Sequence, residues 1–113
     1  MTFTVRSLLD LPLAQTVSLT PGIGEDRTIT WAHVCELSEP WKWLGRGALV
    51  MTTGIGVPQT TDEQCAYLDG MHRAGIAAVA IDGVLIETSF SAPALAYAAR
   101  LGFPVLQTAH EVP

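Results

Sequence analysis

Ala48-Leu49-Val50-Met51-Thr52-Thr53-Gly54 and Gly75-Ile76-Ala77-Ala78-Val79-Ala80-Ile81 decide the fold of this chain. Each is a short apolar run beside glycine, with no polar alternation. Length and bounding turn residues mark such runs as strands rather than helices. Continuous apolar strands suit a parallel sheet buried on both faces. The stretch between them reads as a helix. Thr60 or Thr61 caps it, and Asp62 and Glu63 sit in the first turn, where the positive end of the helix dipole favours them. Cys65, Leu68 and Met71 form its expected buried stripe, and Gly75 stops it after His72-Arg73.

The pattern then repeats. A second helix is expected over Ala92–Leu101, with Pro93 in its first turn and Leu95, Ala98 and Leu101 facing the core. Arg100-Leu101-Gly102-Phe103 echoes Arg73-Ala74-Gly75-Ile76: a helix end, a glycine stop and the start of an apolar strand. Phe103-Pro104-Val105-Leu106 is the last strand, with Pro104 at its start or on an edge because proline donates nothing to a ladder. Strand, helix, strand, helix, strand with short links predicts right-handed crossovers and a mainly parallel sheet.

Towards the N-terminus, Val5–Leu9 reads as one helical turn and Val17–Leu19 as a strand. Thr20–Arg27 holds Pro21, Gly22 and Gly24 and reads as a turn or short loop. Thr28–Val34 is β-branched and aromatic, a strand expected to pair antiparallel with the first. Ser38–Leu44 starts a short helix, capped by Ser38 or Glu39 with Pro40 in its first turn. The expected fold class is α/β: one small domain over residues 1–113, in two or three layers. It has a mainly parallel sheet, two main helices and an N-terminal antiparallel strand pair.

The totals agree. A chain of 113 residues, 49% hydrophobic and 15% charged, can bury a core and is not a disordered tail. Six basic residues stand singly against 11 acidic ones, for a net charge of -5. Duplex binding draws on clustered Lys and Arg to neutralise phosphates, so direct nucleic-acid binding is not expected, nor is an anionic membrane surface. The start lacks the basic-then-apolar pattern of a signal peptide, and no apolar run nears the ~20 residues of a membrane span. Cys35 and Cys65 form no C-x-x-C pair. Reduced thiols in a cytoplasmic protein are expected.

Thr52-Thr53-Gly54-Ile55-Gly56 lies between a strand and a helix, where α/β proteins place ligands. It is no dinucleotide fingerprint: Gln59 stands where the third glycine would be, and Pro58 separates the turn from the helix. The carboxyl ends of the strands place Thr52, Thr53, Gly54, Asp82 and Gly83 together, with His33 and Glu36 nearby, as the candidate ligand-binding residues. His33, Cys35 and Glu36 also cluster at a strand end. A small enzyme using that trio is one reading. The other is a satisfied histidine, a packed cysteine and a Glu36 that caps the next helix. A zinc site needs three or four ligands, and only distant His72, His110 and Cys65 could complete one, so neither metal nor cofactor is expected. Trp31, Trp41 and Trp43 serve as core and lid, or as an aromatic wall.

Val5-Arg6-Ser7-Leu8-Leu9, Asp26-Arg27, Trp31-Ala32-His33-Val34-Cys35-Glu36-Leu37, Pro40 with Trp43-Leu44, Gly47 through Gly54, Ala74 through Ala78, Gly102 through Leu106 and Glu111-Val112-Pro113 occur here in one order. Together they resemble the N-terminal domain of PucR-type bacterial transcription regulators. The resemblance implies a non-enzymatic regulatory domain that senses a small-molecule effector, such as a purine-pathway metabolite, or mediates assembly as a homodimer. It implies control of purine or related catabolism, and DNA contact through a C-terminal helix-turn-helix of a longer protein. It also implies a cytoplasmic location and a chain that continues past Pro113. The Thr-Thr-Gly turn is similar to that of Mur ligase N-terminal domains.

Overall fold

The computed structural model describes residues 2–12, 15–82 and 90–108. In chain order the elements are α1 (Val5–Leu9), β1 (Thr16–Ser18), β2 (Trp31–Val34), β3 (Ala48–Thr52), α2 (Thr61–Arg73), β4 (Ala78–Asp82), α3 (Ala92–Leu101) and β5 (Val105–Thr108). Pro40–Lys42 forms only a single 3-10 turn, and neither Ser38 nor Glu39 caps it by a side-chain hydrogen bond.

The sheet is α/β in character, ordered β1-β5-β4-β3-β2. The four strands from β2 to β5 run parallel, and β1 lies antiparallel to β5. The expected pairing of the first two strands with each other is therefore corrected: they occupy opposite edges. Residues 20–30 are no hairpin turn. They cross beneath the amino ends of the sheet, held one strand at a time. The Leu19 amide donates to Val105 O at 2.8 Å. Arg27 then donates from Nε to Ala77 O at 3.0 Å and from Nη2 to Ile76 O at 2.8 Å. The Thr30 amide reaches Gly47 O at 2.8 Å. Arg27 also lies 5.7 Å over the Phe103 ring. Burial lowers its guanidinium pKa from the ordinary value, with the charge of Asp26 opposing.

Both long helices begin as their sequences predict. Thr60 Oγ1 accepts the Glu63 amide at 3.2 Å, and Ser91 Oγ accepts the Ala94 amide at 3.2 Å. Gly102 closes α3 in the left-handed region at φ 81°, a conformation that costs a residue without a Cβ little. The buried stripes differ from expectation. On α2 they are Gln64, Tyr67, Leu68 and Met71, with Cys65 only half-buried. On α3 they are Ala94 and Ala98, with Leu95 and Leu101 packed partly buried beside them. Steps of three residues drift around a helix with 3.6 residues per turn, so the true face follows i, i+3, i+4, i+7. Gln64 joins that face because its amide is satisfied: Nε2 donates to Pro58 O at 3.0 Å and Oε1 accepts the Ser91 amide at 2.9 Å.

The two faces of the sheet differ. Ala48, Val50, Val79, Ile81 and Val105 meet α2 and α3 in the main core. Leu49, Ala78, Ala80 and Leu106 point the other way, where, among the described residues, Val5, Leu8 and Leu9 of α1, with Ile29, pack on them. A sheet buried on both faces was the expectation from its apolar strands. Here both long helices lie on one side, and among the described residues α1 covers part of the other. The parallel strands are added in one direction, β2 to β5. Crossovers of constant hand then stay on one face, and the strand order has no reversal to open a crevice at a switch point.

Candidate functional site

Glu36 follows β2 by two residues and reaches the exit of β3. Its Oε2 accepts the Thr53 amide at 3.0 Å and the Thr53 hydroxyl at 2.8 Å. Its Oε1 accepts the Thr52 hydroxyl. Thr52 Oγ1 in turn accepts the Gly54 amide at 3.0 Å. Gly54 sits at φ 100°, which turns the chain away from the strand end. Glu36 was expected to cap the next helix; instead it clamps this turn. Partial burial pushes its carboxyl up, but the hydrogen bonds from Thr52 and Thr53 outweigh that and leave it below its ordinary value. The carboxylate form is the one these donors stabilise.

The clamp stands at the rim of a cavity of about 870 Å³ on the sheet face opposite the long helices. Leu8, Ile29, Leu49, Met51 and Ala80 make its apolar part. Thr16, Thr52, Asp82 and Thr108 make its polar end. Apolar exposure is large here: Val34 is 75% exposed and Met51 37%. A parallel sheet normally hides such side chains on both sides.

The structure thus joins four of the sequence-derived candidates, Glu36, Thr52, Thr53 and Gly54, by direct hydrogen bonds. Asp82 shares the cavity wall with Glu36. Gly83 lies outside the described residues. His33 is opposite Val50 in the β2–β3 register, so its side chain is on the helix face, edge-on to Trp31 with ring centroids 5.2 Å apart. Among the described residues no hydrogen bond joins His33, Cys35 and Glu36, and no three His, Cys, Asp or Glu residues are grouped to hold a metal ion. Cys35 is buried beside Val57 and Tyr67 in the main core.

The cavity itself escaped sequence reasoning, since Leu49, Met51 and Ala80 read there as core. The signal available was the run of small residues, Ala78 and Ala80, where a packed sheet face would carry bulk. Trp41 proves structural: it packs against Tyr67 at 6.3 Å between ring centroids. Trp43 is 72% exposed. No described helix is long and apolar enough to cross a membrane.

The chain belongs to the purine catabolism regulatory protein-like family, PucR, which matches it over residues 7–113. Among curated proteins it is similar to the transcriptional activator PmfR of Paenarthrobacter nicotinovorans, at 36% identity over 112 residues. That alignment takes in 96% of this chain but 24% of PmfR, so the chain spans about a quarter of the relative's length. No solved structure matches it.

Proposed function

We propose that this chain is the N-terminal, effector-sensing domain of a PucR-type transcription regulator that acts in the cytoplasm on purine or related catabolism. The observation that carries the reading is the polar rim at the carboxyl ends of β3 and β4. There Glu36 fixes Thr52, Thr53 and Gly54 beside Asp82 at the mouth of an apolar cavity. Small-molecule sites have this make-up, a mostly apolar wall with a few placed polar groups. The acidic balance and singly placed basic residues leave DNA contact to other parts of the regulator, such as a helix-turn-helix.

The test is a thermal-shift screen of purine-pathway metabolites on the chain. At least one should raise its melting temperature, and Thr53→Val or Asp82→Asn should weaken that ligand severalfold. If none stabilises the chain, or if both variants bind as tightly as wild type, the reading fails.

One observation favours a second reading, a dimerisation module. Strand β2 is an edge of the sheet, and among the described residues nothing pairs with its outer side. Trp31, 57% exposed, and Val34 lie along it without the lysine or proline that guards many edges. Under this reading the chain sediments as a dimer and Val34→Lys returns it to monomer.

A further inference from the structure

The entries to β2, β3 and β4 lie at one end of the sheet, and there the fold brings together two arginines that the sequence spaces apart. Thr30 stands just before β2, Arg46 and Gly47 before β3, and Gly75 and Ala77 before β4. Arg27 is fixed at this end by its bonds to Ile76 O and Ala77 O. Arg46 is fixed beside it: a Cβ on Gly75 would lie 3.3 Å from Arg46 Cα. The Gly47 amide donates to Gly75 O at 2.9 Å. These two glycines sit at φ 82° and 83° and leave a floor without side chains. Over it lies a hollow of about 400 Å³, walled by Arg27, Arg46, Thr28 and Thr30.

The donors on these walls are not committed elsewhere. Arg6, Lys42 and Arg73 pair with the carboxylates of Glu25, Glu39 and Asp69, and Arg100 lies 5.8 Å over the Tyr97 ring. Among the described residues no carboxylate lies within ion-pair distance of Arg27 or Arg46. Arg27 uses Nε and Nη2 on carbonyls, which leaves Nη1 for another acceptor. Burial works against its charge, and Asp26 supports that charge from the next position without a direct ion pair. Thr28 and Thr30 are exposed, and their hydroxyls have no hydrogen-bond partner among the described residues. The C-terminus of α2 also points here, and its carbonyl dipoles oppose an anion. Met71 O and His72 O, however, are already taken by the Ile76 and Gly75 amides, each at 3.1 Å.

We infer that this hollow is a second binding site, for a small oxyanion: the phosphate or carboxylate group of a metabolite. Arg27 and Arg46 meet its oxygens from two sides, and Thr28 and Thr30 donate to those that remain. The planar guanidinium fork suits both kinds of oxyanion. The volume of about 400 Å³ lies within the range of about 300–1,000 Å³ found for small-molecule sites. The site is at the opposite end of the sheet from Glu36, Thr52 and Thr53, and it does not rest on the effector reading above.

Inorganic phosphate and malonate test this, each titrated into the chain against chloride at constant ionic strength while backbone amide resonances are followed. At least one should shift the amides of Thr28, Thr30, Gly47 and Gly75 and saturate with a Kd in the low-millimolar range or tighter. The tighter of the two names the anionic group of the ligand. Arg46→Gln, at an exposed position without a partner to lose, should weaken that binding at least about fivefold, the size of one lost charge-assisted hydrogen bond at an exposed site. Arg100→Gln, which removes a cation outside the hollow, should leave it unchanged. Arg27 stays intact in these variants because it anchors the crossing segment. The inference is overturned if neither anion saturates in that range, if the shifts map away from the hollow, or if Arg46→Gln binds as wild type does. It is also overturned if Arg100→Gln weakens binding as much as Arg46→Gln, which would mean a general attraction to positive charge. None of these results touches the effector reading, which is tested separately at Thr53 and Asp82.

Discussion

Glu36 and Thr53 are joined twice, since Glu36 Oε2 accepts both the amide and the hydroxyl of Thr53, at 3.0 and 2.8 Å. The exit of one strand thereby fixes the exit of its neighbour. This relation makes stability depend on pH with a definite sign. The folded-state pKa of Glu36 lies below its unfolded value, so its contribution is present above the ordinary carboxylate range. It is lost as pH falls through the lowered folded value. Glu36→Gln should cost about 1 kcal/mol at neutral pH, below the charged hydrogen-bond range of about 1.5–3 kcal/mol because the site is partly solvated. In urea titrations at pH 7 and pH 3, the gap between variant and wild type should shrink at the lower pH. A gap that stays constant would mean the carboxylate charge contributes nothing.

Leu68 is fully buried between sheet and helices. Leu68→Ala should cost about 2–5 kcal/mol as a core truncation. Cys65→Ala, on the half-buried flank of the same helix, should cost less than about 1 kcal/mol. Chemical denaturation that ranks the two the other way would rotate the α2 face.

Much of this fold is legible in the sequence because its devices are local. Thr60 caps one helix, Pro93 stands in the first turn of the next, Gly102 ends it, and the apolar runs of β3 and β4 are strands. What the sequence does not reveal is non-local. Nothing in Val17 or Leu19 says that their partner is β5 rather than the nearer Trp31–Val34. Arg27 holds the crossing segment between them, its guanidinium taking two carbonyls at the entry to β4. The site divides in the same way. Thr52, Thr53, Gly54 and Asp82 follow from their place after core strands. The clamp by Glu36 and the cavity over Ala80 depend on which side of the sheet the helices take.

Arg27 supplies a fork of donors that a single ammonium cannot reproduce. Arg27→Ala should cost about 1.5–3 kcal/mol, since Ile76 O and Ala77 O lose a charged partner. Arg27→Lys should recover less than half of that loss. Full recovery by lysine would show that charge, not the two-pronged geometry, holds the crossing segment.

The Tyr67 hydroxyl is buried and has no hydrogen-bond partner among the described residues. Burial pushes its phenol above the ordinary tyrosine range, and the carboxylate charge of Glu36 adds to the effect. Removing a buried hydroxyl that lacks a partner leaves no orphan behind. Tyr67→Phe should therefore change stability by less than about 0.5 kcal/mol or improve it. A loss above about 1 kcal/mol in thermal or urea unfolding would show that the hydroxyl is satisfied in solution, by water or a bound molecule.

Gly56 tests whether the Glu36 turn is held by packing as well as by hydrogen bonds. A Cβ on Gly56 would collide with the carbonyl oxygen of Glu36 and come within 2.8 Å of that of Leu37. Those are backbone atoms, so relief requires the 36–37 segment to move, and with it the carboxylate that clamps Thr52 and Thr53. Overpacking of this kind costs typically about 1–3 kcal/mol. Gly45 is the matched control, because a Cβ there meets nothing within 4 Å. Gly45→Ala should be neutral or stabilise by up to about 1 kcal/mol through the unfolded chain's lost freedom. Gly56→Ala should destabilise by at least about 1 kcal/mol. It should also shift the amide resonances of Thr53 and Gly54, which sit on the other side of the clamp. If Gly56→Ala leaves both stability and those resonances unchanged, the 36–37 segment yields freely and the clamp is held by the Glu36 hydrogen bonds alone.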